Sequence, residues 1–478
     1  MREGNSMTPP PSHPLPQSFN RMPVRRVPAT VDHQRPRAVE DNNIATARLI
    51  VAELFGPISG RTFAVRYWTG TTDWTGDGSP VFTLVLASAG SLRRMVLPPS
   101  ELAFAEAFME GAYDIEGDMR AATLLAPLMV SRLRSPPRLA RIIGASLTLP
   151  RGIANADAGQ STRAAAVRGR RHSHLRDATA VRHHYDVGND FYRLWLDPQL
   201  VYSCGYFASE SADLADAQRD KLDLLCRKLR LSPGERLLDI GCGWGALIRH
   251  AAKHYGVQAV GITLSDAQAA YAREAIREDG LRDRCSVEIR HFEALPAEPS
   301  FHKVVSVGMC EHVGRAKLAT YFSVAERVLR PGGLFLNHCI TSLEEAIPAT
   351  FGVRLARLFW RQGEFIDRYV FPDGELATLS QLTAAAEATG LETRDVENLR
   401  EHYARTLRHW ISRLEQRSEE ARMIAGETVY RTWRLYMAAS EAAFEAGNIA
   451  VVQCLYAKAA VDRASRIPQT RDHIYRQR

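Results

Sequence analysis

The stretch LLDIGCGWGALI, beginning at Leu237, ends an apolar run in an acid, Asp239, and then sets Gly241, Gly243 and Gly245 on alternate positions before a helix-like pattern. Missing side chains let the chain approach a ligand closely, and the start of the following helix presents free N–H groups. Such a turn can hold an anionic or adenosyl-bearing ligand at the carboxyl end of a strand. A dinucleotide turn runs G-x-G-x-x-G with an acid about 20 residues further on. Here the order is G-x-G-x-G directly after the acid, one residue different. Two more groups of chemical interest end strand-like runs: Glu311 follows HKVVSVGM, and His338 lies in LFLNHCI.

These residues need a sheet to gather them. From Gly234 the pattern gives a strand in ERLLDIG, a helix in GALIRHAAKHYG, a strand in VQAVGITL and a helix in DAQAAYAREAIREDG. Strands in CSVEIR and HKVVSVGM, a helix in KLATYFSVAERVLRPGG and a strand in LFLNHCI complete it. Alternation of this kind predicts an α/β fold with a doubly wound, mostly parallel, Rossmann-like sheet. Gly256, Gly280 and Pro331-Gly332-Gly333 are the expected helix stops. Ligands of such sheets lie outside the carboxyl ends of the strands at the point where strand order reverses, so Glu311 and His338 should face one crevice. An anion held between them would require shifted pKa values. Ser265 and Gln268 have capping-box spacing for the helix after the second strand.

Upstream, NIATARLIVAELFG predicts a helix, and RTFAVRYWTG and PVFTLVLASAGSLRRMVL predict strands, the second as a hairpin. SELAFAEAFMEGAYDIEGD and MRAATLLAPLMVSRL predict helices that close a small α+β unit with no catalytic signature. The expected organisation is a disordered basic, Pro-rich arm over 1–40, this α+β domain over 41–150 and a basic linker over 151–182 that carries RGRRHSHLR. The catalytic α/β domain follows over 183–460, and a basic tail over 461–478.

The 478 residues are 45% apolar and 24% charged, an ordinary globular composition, with a net charge of +7 that points to an anionic partner. No apolar run approaches the roughly 18 residues of a membrane span, and the six arginines of the first forty residues accompany no secretory core segment. The expected location is therefore cytoplasmic. Seven cysteines without a C-x-x-C pair predict reduced thiols and no metal.

LLDIGCGWG resembles the S-adenosylmethionine (SAM) turn of class I methyltransferases. YDVGNDFYRLWLDPQLVYSCGYF, GITLSDAQAAYARE, SVGMCEHVG, RYVFPDGELATLSQL and HYARTLRHW resemble, in that order, segments of the cyclopropane-fatty-acyl-phospholipid synthase family. The N-terminal unit resembles the extra, lipid-interacting domain of the family's longer members, which act on phospholipid. The resemblance implies a class I methyltransferase domain with a helical lid insertion and SAM as cofactor. It sets Tyr202 and Ser203 at the sulfonium, and Gly241 and Gly243 under the methionine part, with Asp239 and Gly245 in the same turn. Thr263, Leu264 and Gln268 fall near the ribose and adenosine.

The implied reaction delivers a methyl group to the cis double bond of an unsaturated acyl chain, after which loss of a proton from that methyl closes a cyclopropane. In the family the proton acceptor is a bound bicarbonate held by a Cys, a Glu, a His and a Tyr, which carry over as Cys204, Glu311, His338 and Tyr369. Two departures stand out: His291-Phe292 replaces an acid followed by an aromatic, and Ser440 replaces a Cys found in many relatives. A carbocation needs a chamber poor in water. TFGVRLARLFWRQGEF could cover one, with Phe351, Leu355, Leu358 and Phe359 on one face and Arg354, Arg357 and Arg361 on another.

The partner so implied is an unsaturated phospholipid at an anionic membrane surface, with the protein peripheral at its inner face and a homodimer left open. A methyl- or methylene-branched product is the alternative outcome on the same lipid, and a SAM-dependent lipid sensor the non-enzymatic one. A nucleic-acid methyltransferase is disfavoured, because the chain has no [DN]-P-P-[YF] tetrapeptide and no Pro-Cys nucleophile; Cys310 follows Met309.

Overall fold

The computed structural model describes residues 37–151, 164–165, 169, 171–185, 187–343, 363–462 and 467–475. The expected lid residues Phe351, Arg354, Leu355, Arg357, Leu358, Phe359 and Arg361 lie outside the described residues, as do nearly all of the expected arm and much of the linker. Of residues 1–42, only the start of helix Arg37–Phe55 is described.

Residues 43–478 form one unit with two sheets. The first contains β1 (Ala64–Arg66), β2 (Thr72–Asp73), β3 (Phe82–Leu86) and β4 (Tyr113–Gly117), in the order β2-β1-β3-β4. β1 runs parallel to β3, and the other pairs are antiparallel. Two expectations are corrected here. SLRRMV is no hairpin strand but the helix Ser91–Val96, because Leu92, Met95 and Val96 fall at helical spacing and are all buried. YDIEG is not helical but forms β4, burying Tyr113 and Ile115 on alternate positions.

The second sheet contains β5 (Arg236–Ile240), β6 (Gln258–Thr263), β7 (Cys285–Ile289), β8 (Phe301–Val307), β9 (Leu329–Ser342), β10 (Leu391–Asn398) and β11 (Ile449–Lys458). Its order is β10-β11-β9-β8-β5-β6-β7, with β11 antiparallel to both neighbours and the rest parallel. β5 lies between β6 and β8, so the chain reverses its direction of travel across the sheet beside the glycine turn, as a doubly wound sheet requires. One helix stop is corrected. The helix Leu318–Val328 ends before Pro331-Gly332-Gly333, which lie within β9. A Cβ at Gly333 would come within 2.8 Å of the Arg330 carbonyl and 2.9 Å of the His302 carbonyl, so glycine serves close strand packing there.

The helices Arg400–Gln416 and Glu427–Glu445 tie the sheets together. Trp433, Tyr436 and Met437 share one apolar cluster with Phe104 and Phe108, and Glu441 pairs with Arg120 at 2.6 Å and Arg408 at 2.7 Å. All seven cysteines are free and buried. Among the described residues, no helix is long and apolar enough to cross a membrane.

Candidate active site

A cleft opens over the carboxyl ends of β5, β6 and β8. Tyr202, Ser203, Asp239 and Gly241 line it, as do Gly243, Thr263, Leu264 and Gln268. Gly245, read from sequence as a ninth cofactor residue, stands behind the turn as the cap of helix Ala246–Tyr255. A Cβ there would meet Ala272 at 2.9 Å.

The turn fits a close-lying ligand. Gly241 and Cys242 both donate their N–H to the Ile262 carbonyl, at 2.9 and 3.0 Å, which pins the turn to the end of β6. Gly241, Gly243 and Gly245 have φ of 88°, 53° and 81°, in the left-handed region that favours glycine. The space that a Cβ of Gly243 would enter is empty. Asp239 is 2% exposed, and its Oδ1 has no hydrogen-bond partner among the described residues. Burial pushes this carboxyl up to about 7, against the pull of the Lys221 ammonium. A donor is therefore wanted in the cleft.

The Ser265 hydroxyl accepts the Gln268 N–H at 3.3 Å, half of the anticipated capping box. Instead of returning to Ser265, the Gln268 amide accepts from Thr263 Oγ1 at 2.9 Å and bonds the Tyr185 hydroxyl, so it is held facing the cleft. His291 takes the place of the expected acid, but an acid stands beside it: Asp177, on helix His174–Tyr185, lies 3.5 Å from His291 Nε2 and also lines the cleft. Sequence spacing could not reveal that, since the two are over a hundred positions apart. The ligating atoms of His174, His291 and Glu293 lie within 4.8 Å of one another, but Glu293 is already held by Lys317 at 2.7 Å and His174 at 2.8 Å.

A second group of buried polar atoms lies beyond the cleft lining. The β8–β9 ladder ends at Val307 and His338, and Gly308 donates to the His338 carbonyl at 2.8 Å. Past that point Glu311, in the short helix Cys310–Val313, substitutes for the missing strand: its Oε1 accepts the Ile340 N–H at 2.7 Å. Its Oε2 is buried without a partner among the described residues, and burial pushes the carboxyl up to about 7. His338, 1% exposed, accepts at Nδ1 from Gln453 Nε2 at 3.2 Å, which leaves the imidazole proton on Nε2. That Nε2 is also buried and unpartnered. Burial, with the Lys221 and Lys228 cations nearby, pushes His338 down to about 3, so the ring is a neutral donor. Cys204 is buried, its Sγ donating to the Gly205 carbonyl at 3.2 Å, and burial raises the thiol far above its ordinary pKa. It is a neutral wall group and no nucleophile in this setting.

Tyr369 is not brought to these three. It is half-buried, and its hydroxyl donates to Glu106 Oε1 of the N-terminal sheet's helix Glu101–Met109 at 2.9 Å. Tyr403 is buried instead, with Tyr436, Cys204, Glu311 and Tyr185 as its electrostatic neighbours. Its signal was in HYARTLRHW: Tyr403, Leu407, Trp410 and Leu414 form one buried stripe of helix Arg400–Gln416. Aromatic rings pack around the Tyr202 ring, with Trp195 and Trp410 at 5.3 Å, His184 at 5.6 Å and Trp433 at 6.1 Å. Ser440 bonds the Tyr436 hydroxyl, one helical turn away. Removal of the two hydroxyls should separate their roles. Tyr403→Phe is expected to lower kcat by roughly 10–100-fold, and Tyr369→Phe by less than about threefold, in steady-state assays. Equal effects would contradict this placement.

Comparison with known proteins adds to the geometry. The family model described as mycolic acid cyclopropane synthetase matches residues 172–454. The chain belongs to this family. It is an enzyme of the cyclopropane synthase-like methyltransferase kind. A second model, described as a domain of unknown function (DUF7884), matches residues 50–126, which contain the four-stranded sheet. A Pseudomonas putida protein named "Probable fatty acid methyltransferase" is 39% identical over 418 residues, covering 86% of this chain and 96% of its own. Cyclopropane mycolic acid synthase MmaA2 of Mycobacterium tuberculosis is 39% identical over 279 residues, 58% of this chain and 96% of its own. Its solved structure superposes with a TM-score of 0.54 at 37% identity, covering 60% of this chain and 99% of that one. Mycolic acid cyclopropane synthase CmaA1, solved with SAH and CTAB, gives 0.54 at 35% identity, covering 59% of this chain and 98% of that one. The family's matched span thus takes in the glycine turn, Glu311, His338 and both tyrosines.

Proposed function

We propose that this enzyme uses SAM to bridge the cis double bond of an unsaturated acyl chain in a phospholipid, producing a cyclopropane. The observation that carries the proposal is the buried, unpaired Oε2 of Glu311, raised toward neutral pH and accompanied by the buried, unpaired Nε2–H of His338. Unsatisfied buried polar atoms are costly, so their retention argues for a guest or a reacting proton. SAM, when bound, supplies an electrophilic methyl group. Adding that methyl to one alkene carbon leaves positive charge on the other, and loss of a methyl proton lets the C–H electron pair close the ring.

Glu311, ionised, can hold or receive that proton. The His338 Nε2–H can donate to an anion such as bicarbonate, and a carboxyl near its titration point can share a proton with one. Tyr202 lines the cleft, and the rings of Trp195, Trp410 and Trp433 packed around it exclude water from that side. The membrane partner is supported by the net charge of +7 and by exposed Leu124 and Leu128 on the N-terminal unit. The protein should sediment with anionic but not neutral vesicles, and high salt should release it; indifference to lipid charge would remove this part.

One observation favours a branched product. Two relatives that match 86% and 87% of this chain are both named probable fatty acid methyltransferases, whereas the cyclopropane mycolic acid synthases MmaA2 and 1 match 58% and 57%. Incubation with methyl-13C-labelled SAM and a monounsaturated phospholipid, followed by 13C NMR of the fatty acids, decides. The proposal expects the label in a ring methylene. A labelled branch methyl or exocyclic methylene would replace it with the alternative.

A further inference from the structure

Lys221, on helix Leu214–Lys228, is 1% exposed and lines the cofactor cleft. An ammonium has three N–H donors and no acceptor, and burying one is costly unless acceptors meet it. Among the described residues its recorded acceptor is one neutral hydroxyl, Ser203 Oγ, at 2.9 Å. The acids Asp197 and Asp239 lie in its electrostatic neighbourhood, but among the described residues neither forms an ion pair with it. Asp197 is turned to the backbone N–H groups of Gln199 and Val201, at 2.9 and 2.8 Å. Asp239 keeps an unpaired Oδ1. The same cleft thus holds a buried cation short of acceptors and a buried acid short of donors. An amino-acid head group, with its α-carboxylate and α-ammonium, supplies both. Burial also lowers the Lys221 pKa to about 8, the direction expected of an ammonium that awaits an anion.

We propose that Lys221, with Ser203 as the hydroxyl it orients, receives the α-carboxylate of the cofactor's methionine moiety and so selects SAM over adenosyl compounds without that carboxylate. The assignment rests on the proposal that SAM occupies the cleft. Lys221 is a positioning residue for the donor; no proton or methyl passes through it.

Calorimetric titration with SAM and with decarboxylated SAM, which differ only in this carboxylate, tests the proposal on the unaltered protein. SAM should bind at least roughly tenfold more tightly, the value of a charge-assisted contact in a closed site. In Lys221→Met the preference should collapse to within about twofold, mainly through weaker SAM binding, and in Ser203→Ala it should fall part-way. A merely structural lysine would weaken both ligands alike and leave their ratio unchanged, which overturns the proposal. So does equal affinity of the unaltered protein for the two ligands, a result that needs no variant to fold. If the unaltered protein takes up neither ligand, the cofactor assignment itself fails, and this inference with it.

Discussion

Glu311→Gln is expected to cut turnover by about 10³-fold or more while SAM uptake stays within a few-fold of the unaltered enzyme. Gln keeps the shape of the side chain and an oxygen for the Ile340 N–H, so the end of β9 stays in place. What disappears is the second carboxylate oxygen, a buried atom able to take a proton or share one with a bound anion. Glu311 is not part of the cleft lining, so binding and turnover should part company. Stability should move the other way. The folded carboxyl titrates at about 7 against an ordinary 4.5, so the folded state holds its proton more tightly than the unfolded chain. The unaltered protein therefore loses stability as pH rises from about 4.5 to about 7. Gln does not titrate, so the variant should be the more stable above pH 7, by up to about 3 kcal/mol, with the difference fading toward pH 4.5. Denaturant melts at pH 5 and pH 8 read this directly. Near-native turnover, or a variant less stable at pH 8, would contradict the role given to Glu311.

Gly241→Val should abolish measurable SAM binding, a loss of at least about 100-fold. The residue has φ of 88°, where a β-branched side chain costs about 1–2 kcal/mol, and its Cβ would stand 3.0 Å from the Cβ of Met309, itself in the cleft wall. Gly280→Ala is the matched control. It has a similar φ of 66° but open space around it, at the end of the helix Asp266–Glu278 and away from the cleft. It should lose about 1 kcal/mol of stability and no affinity. Calorimetry on the two variants separates backbone strain from occlusion; uptake by Gly241→Val within threefold of the unaltered protein would contradict the placement of the turn.

The turn was legible because its signal is local: an apolar strand, an acid, three alternating glycines and a helix. The first five strands of the large sheet were legible for the same reason. β10, LETRDVEN, was not, because an edge strand with one buried face and many charges resembles a loop. Glu311 could be anticipated from the end of β8, whereas His338, read as ending its strand, lies inside β9 where only the pairing with β8 stops; their bonds to Ile340 and Gln453 depend on contacts 29 and 115 residues apart. The choice between Tyr369 and Tyr403 was set by a partner in the N-terminal unit, Glu106, which no local pattern connects to the catalytic domain. Lys221 was invisible for a simpler reason: in DAQRDKLDLLCRK a lysine reads as solvated, and only the packing of helix Leu214–Lys228 against the sheet shows it buried.

A methyl donor held in the cleft is expected to react with a lipid double bond. The direct measurement is S-adenosylhomocysteine release by the purified protein, with SAM and vesicles of one head group whose acyl chains are either cis-monounsaturated or fully saturated. Release with the unsaturated vesicles alone is the predicted result. No release with either, or equal release with both, would contradict it.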